Sequence, residues 1–280
     1  MTGFINVNKV KGVSSAKEVA VVKRLAGVPC GHMGTLDPMA SGVLPVAIGN
    51  AARLFDYFLD KKKTYRATFL FGADSDTLDT EGTITKIGTV PPKGDIEQVL
   101  GEFTGEIMQI PPNYSAKNIA GKRGYELARA GIEFTLPAKK VNIFSILLED
   151  KVSENEYSFI IECGGGTYIR SIARDLGARL GTHAIMSALE RTKSGVFDIK
   201  NSVQTEELTF ENFKNYIIPT DSVIAYEGIY PDEKQSYKLF NGLSVPFDKP
   251  DGIYKIYRDG SFYGLAQINQ CMLKVRTKLC

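Results

Sequence analysis

The sequence predicts an α+β fold with a mixed, largely antiparallel sheet, followed by a small β-barrel-like module. Three observations carry that prediction. Helical and strand-like segments alternate without the strict strand–helix–strand rhythm of a doubly wound sheet. Two β-favouring runs, Val141–Leu148 and Tyr157–Cys163, flank an acidic, polar turn from Glu149 to Glu156 and read as an antiparallel pair. Near the end, Asp259-Gly260 separates the aromatic-rich runs Gly252–Tyr257 and Ser261–Ala266, a strong hairpin signal. A boundary near Pro219–Ile224 divides the chain into a larger domain, 1–222, and a module, 223–280, too small to build a generous core alone.

The remaining elements follow in order. Phe4–Asn8 reads as a short strand. Ser15-Ala16-Lys17-Glu18 has the pattern of a capping box and opens a helix to about Leu25, with Gly27 as its stop. A loop dense in Gly and Pro comes next, then a strand over Val43–Ile48. Asn50 is placed to cap a helix through Leu59, with Ala52, Leu54, Phe55 and Phe58 apolar. Tyr65–Phe71 is a strand by composition. Asp95–Phe103 carries Ile96, Val99, Leu100 and Phe103 on one helical stripe, and Gly124–Ala130 reads as a short helix closed by Gly131. A helix over Thr167–Leu180 follows a glycine run, with Thr167 as its N-cap.

Composition narrows the function classes. The chain is 43% hydrophobic and 24% charged, ordinary globular usage with enough apolar material for a sizeable core. The net charge of +2 is uninformative, but basic clusters recur: Lys61-Lys62-Lys63 with Arg66, Lys117 with Lys122 and Arg123, Lys139-Lys140, Arg170 with Arg174 and Arg179, and Lys274 with Arg276 and Lys278. Alone, each describes a solvated face. Beside Tyr65, Tyr125 and Tyr168 they point to nucleic acid. Cys30, Cys163, Cys271 and Cys280 are scattered, and only two His are present, so no zinc spacing exists. The N-terminus lacks the features of a signal peptide, and the apolar runs are too short to span a bilayer. A cytoplasmic, soluble protein with reduced thiols, not bound to a membrane, is expected.

Three segments could carry chemistry. Gly31-His32-Met33-Gly34-Thr35-Leu36-Asp37-Pro38-Met39-Ala40-Ser41-Gly42-Val43-Leu44-Pro45 places one carboxylate, Asp37, in a loop shaped by Gly and Pro. Lys63-Thr64-Tyr65-Arg66 leads into Asp74-Ser75-Asp76-Thr77-Leu78-Asp79. That acidic run suggests a phosphatase-like Asp-x-Asp or a calcium loop, but Leu78 and Asp79 stand where those motifs need Thr or Val and Gly. A polar turn whose carboxylates bond backbone N–H groups fits it better. The third segment, Cys163-Gly164-Gly165-Gly166-Thr167-Tyr168-Ile169-Arg170, is neither a P-loop nor a dinucleotide fingerprint. Arg170 and Arg174, one turn apart near a helix start, oppose the helix dipole and call for an acidic partner, either phosphate or a carboxylate such as Asp37.

Taken together, these segments resemble the bacterial tRNA pseudouridine synthase B family in order and character. The Gly-x-Leu-Asp-Pro-type loop around Asp37 resembles the family's catalytic motif, whose Asp is the nucleophile. Lys9-Val10-Lys11-Gly12-Val13-Ser14-Ser15 is similar to its N-terminal motif, with Val10 in place of the usual Pro. Lys63–Arg66 resembles the motif with an active-site Tyr, and Gly166–Arg170 the one with an active-site Arg. Leu189 matches an apolar residue that packs against the target base. The tail is similar to a shortened PUA-type RNA-binding module. The resemblance implies a catalytic domain of pseudouridine synthase type. It implies Asp37, Tyr65 and Arg170 as catalytic residues, and His32, Tyr168, Leu189 and Lys9 as substrate-binding ones. It also implies a monomer that needs no metal, cofactor or protein partner and acts on the T-arm stem-loop of tRNA at the uridine numbered 55. A pseudouridine synthase for ribosomal or guide-selected RNA, and a non-catalytic tRNA-binding or folding factor, remain open as alternatives.

Overall fold

The structure is a computed structural model, described for residues 1–57, 62–114, 118–119, 122–123, 132, 134 and 136–279. The helix expected over Gly124–Ala130 lies outside these residues. The chain falls into two compact units. Unit 1 comprises residues 1–37, 43–60 and 196–280, and unit 2 comprises 38–42 and 61–195. The boundary expected between 222 and 223 thus lies within the third stretch of unit 1.

Unit 1 begins with β1 (Gly3–Lys9) and α1 (Ser15–Ala26), then β2 (Cys30–His32) and β3 (Ser41–Ile48), whose first residues belong to unit 2. β1 lies beside β3, and β2 pairs antiparallel with β3, setting His32 opposite Val46. α1 ends as expected: Gly27 takes the left-handed conformation and its N–H returns to the Lys23 carbonyl. Its start differs. Ser14, not Ser15, is the N-cap, accepting from the Lys17 N–H, and Glu18 closes no box because its buried carboxylate accepts from the Thr205 hydroxyl at 2.5 Å.

The helix expected over Asn50–Leu59 is a 3-10 helix over Gly49–Tyr57, the last two residues of the expected span lying outside the described ones. Its inward residues are Ala51 and Leu54, three apart, while Phe55 is exposed. Asn50 is no cap, because its amide donates to the Leu279 carbonyl at 3.1 Å, and Arg53 donates to the Lys278 carbonyl at 3.0 Å.

Unit 2 is organised around β4 (Lys63–Phe71), followed by a short hairpin of β5 (Ala73–Ser75) and β6 (Ile84–Lys86). The helix expected over Asp95–Phe103 is α2 (Lys93–Val99) continued as a 3-10 turn, Leu100–Phe103. β7 (Gly105–Gln109), the two-residue strands β8 (Asn118–Ile119) and β9 (Lys122–Arg123), β10 (Lys139–Lys151), β11 (Glu156–Cys163), α3 (Ile169–Arg179) and β12 (Ala184–Ser194) complete it. The strand order is β12-β4-β11-β10-β7, antiparallel throughout. The first residues of β3 add a parallel edge on β12 through Ser41 and Gly42.

Tyr65, Ala67, Phe69 and Phe71 alternate along β4 and are buried, the period-2 signature of a strand with one face in a core. Phe69 and Phe159 meet at 4.7 Å between ring centroids. α3 starts two residues later than expected. Tyr168 is its N-cap, and the Thr167 hydroxyl donates to the Gly164 carbonyl instead of capping the helix. The helix lies close on the sheet because residue 177 is Gly, where a Cβ would come within 2.5 Å of the Ala184 nitrogen.

The third stretch of unit 1 holds β13 (Phe197–Asp198), β14 (Gly228–Ile229), α4 (Glu233–Phe240), β15 (Val245–Pro246), β16 (Gly252–Arg258), β17 (Ser261–Asn269) and β18 (Met272–Lys278). The expected hairpin is present, with Asp259 and Gly260 at positive φ joining β16 and β17. The five strands form an open sheet ordered β14-β16-β17-β18-β15. α4 is a helix the sequence reading lacked. Its cap is a true box, Asp232 accepting from the Gln235 N–H while the Gln235 side chain accepts from the Asp232 N–H.

The tail has two cores. Ile229, Leu239, Ile256, Ile268 and Leu273 cluster within it. Val223, Ile224, Leu265 and Leu279 instead join Phe4, Val43, Ala47 and Leu54. Among the described residues, no helix is long and apolar enough to cross a membrane.

Candidate active site

In unit 1, Asp37 is half-buried: Leu36 before it is 3% exposed, Thr35 and Pro38 face solvent, and Met39 (3% exposed) and Ala40 (fully enclosed) follow. The loop is therefore anchored by alternate residues, unlike a wholly solvated turn. Its backbone is gripped by the first residue of α1. The Ser15 hydroxyl donates to the Leu36 carbonyl at 2.9 Å and accepts from the Leu36 N–H at 3.0 Å. His32 sits half-buried on β2. Lys9 ends β1 with no exposed surface, its Nζ donating to the Val10 carbonyl at 3.2 Å.

In unit 2, the register sets Ala67 of β4 opposite Leu189 of β12 and Tyr65 opposite Arg191. Tyr65 and Leu189 are therefore diagonal neighbours on one buried face, at 7% and 8% exposure. At the other end of that strand face, burial foremost and then the Arg191 cation pull the Lys63 ammonium down to about 8. Burial likewise pushes the Cys163 thiol, opposite Lys63, up to about 11.

α3 presents Tyr168 and Arg170 at its start. Gln109, 1% exposed, clasps Tyr168 in both directions: its Oε1 accepts from the Tyr168 N–H at 2.8 Å and its Nε2 donates to the carbonyl at 3.1 Å. The buried Arg170 guanidinium donates through Nη1 to the Thr77 carbonyl (2.9 Å) and Asp79 Oδ2 (3.1 Å), and through Nη2 to the Tyr114 carbonyl (3.0 Å). Arg174 bonds Asp175 and the Ile110 carbonyl.

The acidic partner demanded by a cation at a helix start is thus supplied by Asp79. Its other oxygen accepts from the Thr77 hydroxyl (2.6 Å) and the Glu81 N–H (3.0 Å). Asp74 and Asp76 accept from the Ser75 and Thr83 N–H groups, the polar turn the sequence suggested. Among the described residues, no group of three His, Cys, Asp or Glu is placed to hold a metal ion.

Asp37, His32 and Lys9 thus belong to unit 1, and Tyr65, Tyr168, Arg170 and Leu189 to unit 2. Sequence reasoning missed Ser15 in its clasping role, Gln109 and the Arg170–Asp79 pair. Of these, only the Asp run is visible in the sequence, and nothing in its spacing links it to Arg170.

The family model for the N-terminal domain of the TruB pseudouridylate synthases matches residues 23–169, more than half of the chain. The chain belongs to the TruB family. The model for the tRNA pseudouridylate synthase B C-terminal domain continues the match over residues 170–224. Among TruB relatives, the tRNA pseudouridine synthase B of Clostridium tetani is 39% identical over 277 residues, covering 95% of this chain and 96% of the relative. That of Aquifex aeolicus is 36% identical over 289 residues and covers 100% of both chains. A solved Cbf5-Nop10-Gar1 complex contains a chain with a TM-score of 0.72 and 25% identity, covering 99% of this chain and 85% of that one. A chain of an H/ACA RNP bound to a substrate RNA containing 2'-deoxyuridine matches equally, at TM-score 0.72 and 22% identity, and shares the fold. As a TruB family member, the protein is a pseudouridine synthase enzyme with a mixed α+β fold.

Proposed function

We propose that this enzyme isomerises uridine to pseudouridine in the T-loop of tRNA, at the position numbered 55, and does so alone in the cytoplasm without a cofactor. The full-length likeness to proteins named tRNA pseudouridine synthase B supports tRNA as the substrate. The observation that carries the reading further is the anchored Asp37 loop: a half-buried carboxylate whose buried predecessor, Leu36, is held through both backbone groups by Ser15, at the motif position where the family resemblance sets the nucleophile. The likeness of the fold to a chain of an H/ACA RNP bound to a substrate RNA keeps a guide-dependent role as the second reading.

The reaction breaks the C1'–N1 glycosidic bond and forms C1'–C5 in the same nucleotide. C5 loses a proton and N1 gains one, so no oxidant or group donor is needed. Asp37 traps the nucleotide covalently while the base detaches and turns over. Arg170, ion-paired to Asp79, holds the start of α3, the helix whose first turn follows Tyr168. The target base must be extruded, at a cost of a few kcal/mol. Stacking on Tyr65 returns about 1–3 kcal/mol, and Tyr65 assists the final proton removal. Leu189 and Tyr168 wall the pocket, and His32 contacts the flipped nucleotides. Lys9, having no exposed surface, supports the Val10 turn instead of touching RNA. Residues 223–280 serve as a PUA-type module, with the exposed Lys274 and Arg276 of β18 meeting phosphates.

The test is site-mapped pseudouridine formation on an unmodified T-arm stem-loop by purified protein in EDTA. Wild type should modify one uridine, and Asp37→Asn should bind RNA normally while losing at least about a thousandfold in rate. Asp37→Asn within about tenfold of wild type rejects the nucleophile, since losing one costs far more. Modification only when a guide RNA is added favours the second reading.

A further inference from the structure

The Ser15 hydroxyl is 3% exposed and spends both its donor and an acceptor on one residue, Leu36, which directly precedes Asp37. Helix α1 does not need that hydroxyl, because Ser14 already caps it. Leu36 is itself 3% exposed, so its N–H and carbonyl would be buried orphans without Ser15. The far end of the loop is pinned by backbone contact: a Cβ on Gly42 would lie 2.3 Å from the Arg191 carbonyl, and Gly42 has a φ of +98°.

We propose that Ser15 is a positioning residue for the reaction: its two-way clasp on Leu36 fixes the direction from which the Asp37 carboxylate meets the nucleotide. The proposal rests on the assignment of Asp37 as nucleophile. A serine at the first turn of a helix is a rigid anchor, since α1 is further held through Glu18 and Thr205. Misplacing a reacting group by about 1 Å costs on the order of a hundredfold in rate. An unclasped loop should therefore slow the chemical step and leave RNA capture intact.

Single-turnover rates at saturating T-arm stem-loop, RNA dissociation constants and melting temperatures of wild type, Ser15→Ala, Ser15→Thr and Asp37→Asn test it. Ser15→Ala should fall about 10- to 100-fold in rate with its dissociation constant within about threefold of wild type. Ser15→Thr restores the hydroxyl and should recover most of the rate. A folded Ser15→Ala with a rate within about twofold of wild type overturns the positioning role. So does a loss that appears only as weaker RNA binding, or one equal in Ala and Thr. If Ser15→Ala melts below the assay temperature, Ser15→Cys keeps the volume, weakens both bonds and is scored against the same limits. An active Asp37→Asn removes the nucleophile assignment and this inference together. An inactive Asp37→Asn beside a fully active Ser15→Ala removes the inference alone.

Discussion

Units 1 and 2 hold their chemistry-bearing side chains by opposite means. At Arg170 the grip is on the side chain itself: a carboxylate and two carbonyls enclose the guanidinium, at 8% side-chain exposure for Arg170 and 4% for Asp79. At Asp37 the grip described above is on the backbone of the preceding residue, through a neutral hydroxyl. On the proposed mechanism, a cation that only orients can be locked in place, whereas a carboxylate that forms and breaks a bond is better aimed through its neighbours. The materials differ accordingly: unit 2 relies on a buried ion pair, costly to break, and unit 1 on apolar packing recruited from distant parts of the chain.

The largest expected effect tests that packing. Deleting residues 223–280 removes Val223, Ile224, Leu265 and Leu279 from the cluster that holds Phe4, Val43 and Leu54. Circular dichroism and melting should show unit 1 unfolded, because several core side chains at about 2–5 kcal/mol each exceed the whole stability of a domain. A truncated protein that melts near wild type and only binds tRNA more weakly would mark the tail as a separable module and erase the contrast.

Next is Asp79→Ala, which strands the Arg170 charge and should cost about 3–5 kcal/mol in denaturant unfolding, with turnover falling as α3 loses its hold. A cost below about 1 kcal/mol would mean the pair does not anchor unit 2. Tyr65→Phe keeps the ring on its buried strand, so a loss of about a hundredfold or more confined to turnover assigns the hydroxyl to proton transfer. Tyr65→Ala should further weaken capture of the base by about 1–3 kcal/mol. An active Ala variant would return Tyr65 to the role of a core residue.

The last effect, on stability alone, concerns Lys63, whose folded pKa of about 8 lies below its ordinary 10.5. Between those values the unfolded chain binds the extra proton, so stability should rise with pH from about 8 to 10.5, and below 8 the fold carries the cost of the buried charge. Lys63→Met should stabilise at neutral pH by on the order of 3 kcal/mol, from about 1.4 kcal/mol per unit, and flatten that rise. Unchanged melting curves at pH 7 and 10 in both proteins would refute it.

Local signals carried the fold further than they carried the site. The hairpin at Asp259-Gly260 and the end of α1 at Gly27 were legible because a left-handed turn leaves its residue types in the sequence. Two adjacent serines hid the start of α1: either can cap, and the second is used for a contact 21 residues away. The true capping box, at Asp232, uses Asp in place of the Ser or Thr of the usual pattern. Over Gly49–Tyr57 apolar residues fell on both faces, and the pull of Asn50 and Arg53 on distant carbonyls left no periodic trace. For the site, a cation against the dipole called for an acidic partner, phosphate or a carboxylate such as Asp37; the carboxylate of Asp79 reaches it only through a fold that closes 91 residues of chain. Gln109 carried no signal, since a buried glutamine and an exposed one read alike until its partner is known.

The threading of unit 1 has a consequence for how the molecule is born. Residues 61–195 separate its second stretch from its third, so a ribosome adding roughly 5–20 residues per second delays the closing segments by on the order of ten seconds. During that interval Phe4, Val43 and Leu54 wait for Leu265 and Leu279, while unit 2 already has nearly all of its chain. Protease digestion of stalled nascent chains released at residue 200 should find β4, β11 and β12 protected and β1 and β3 cut; equal resistance of both sets would show that the early segments find another shelter.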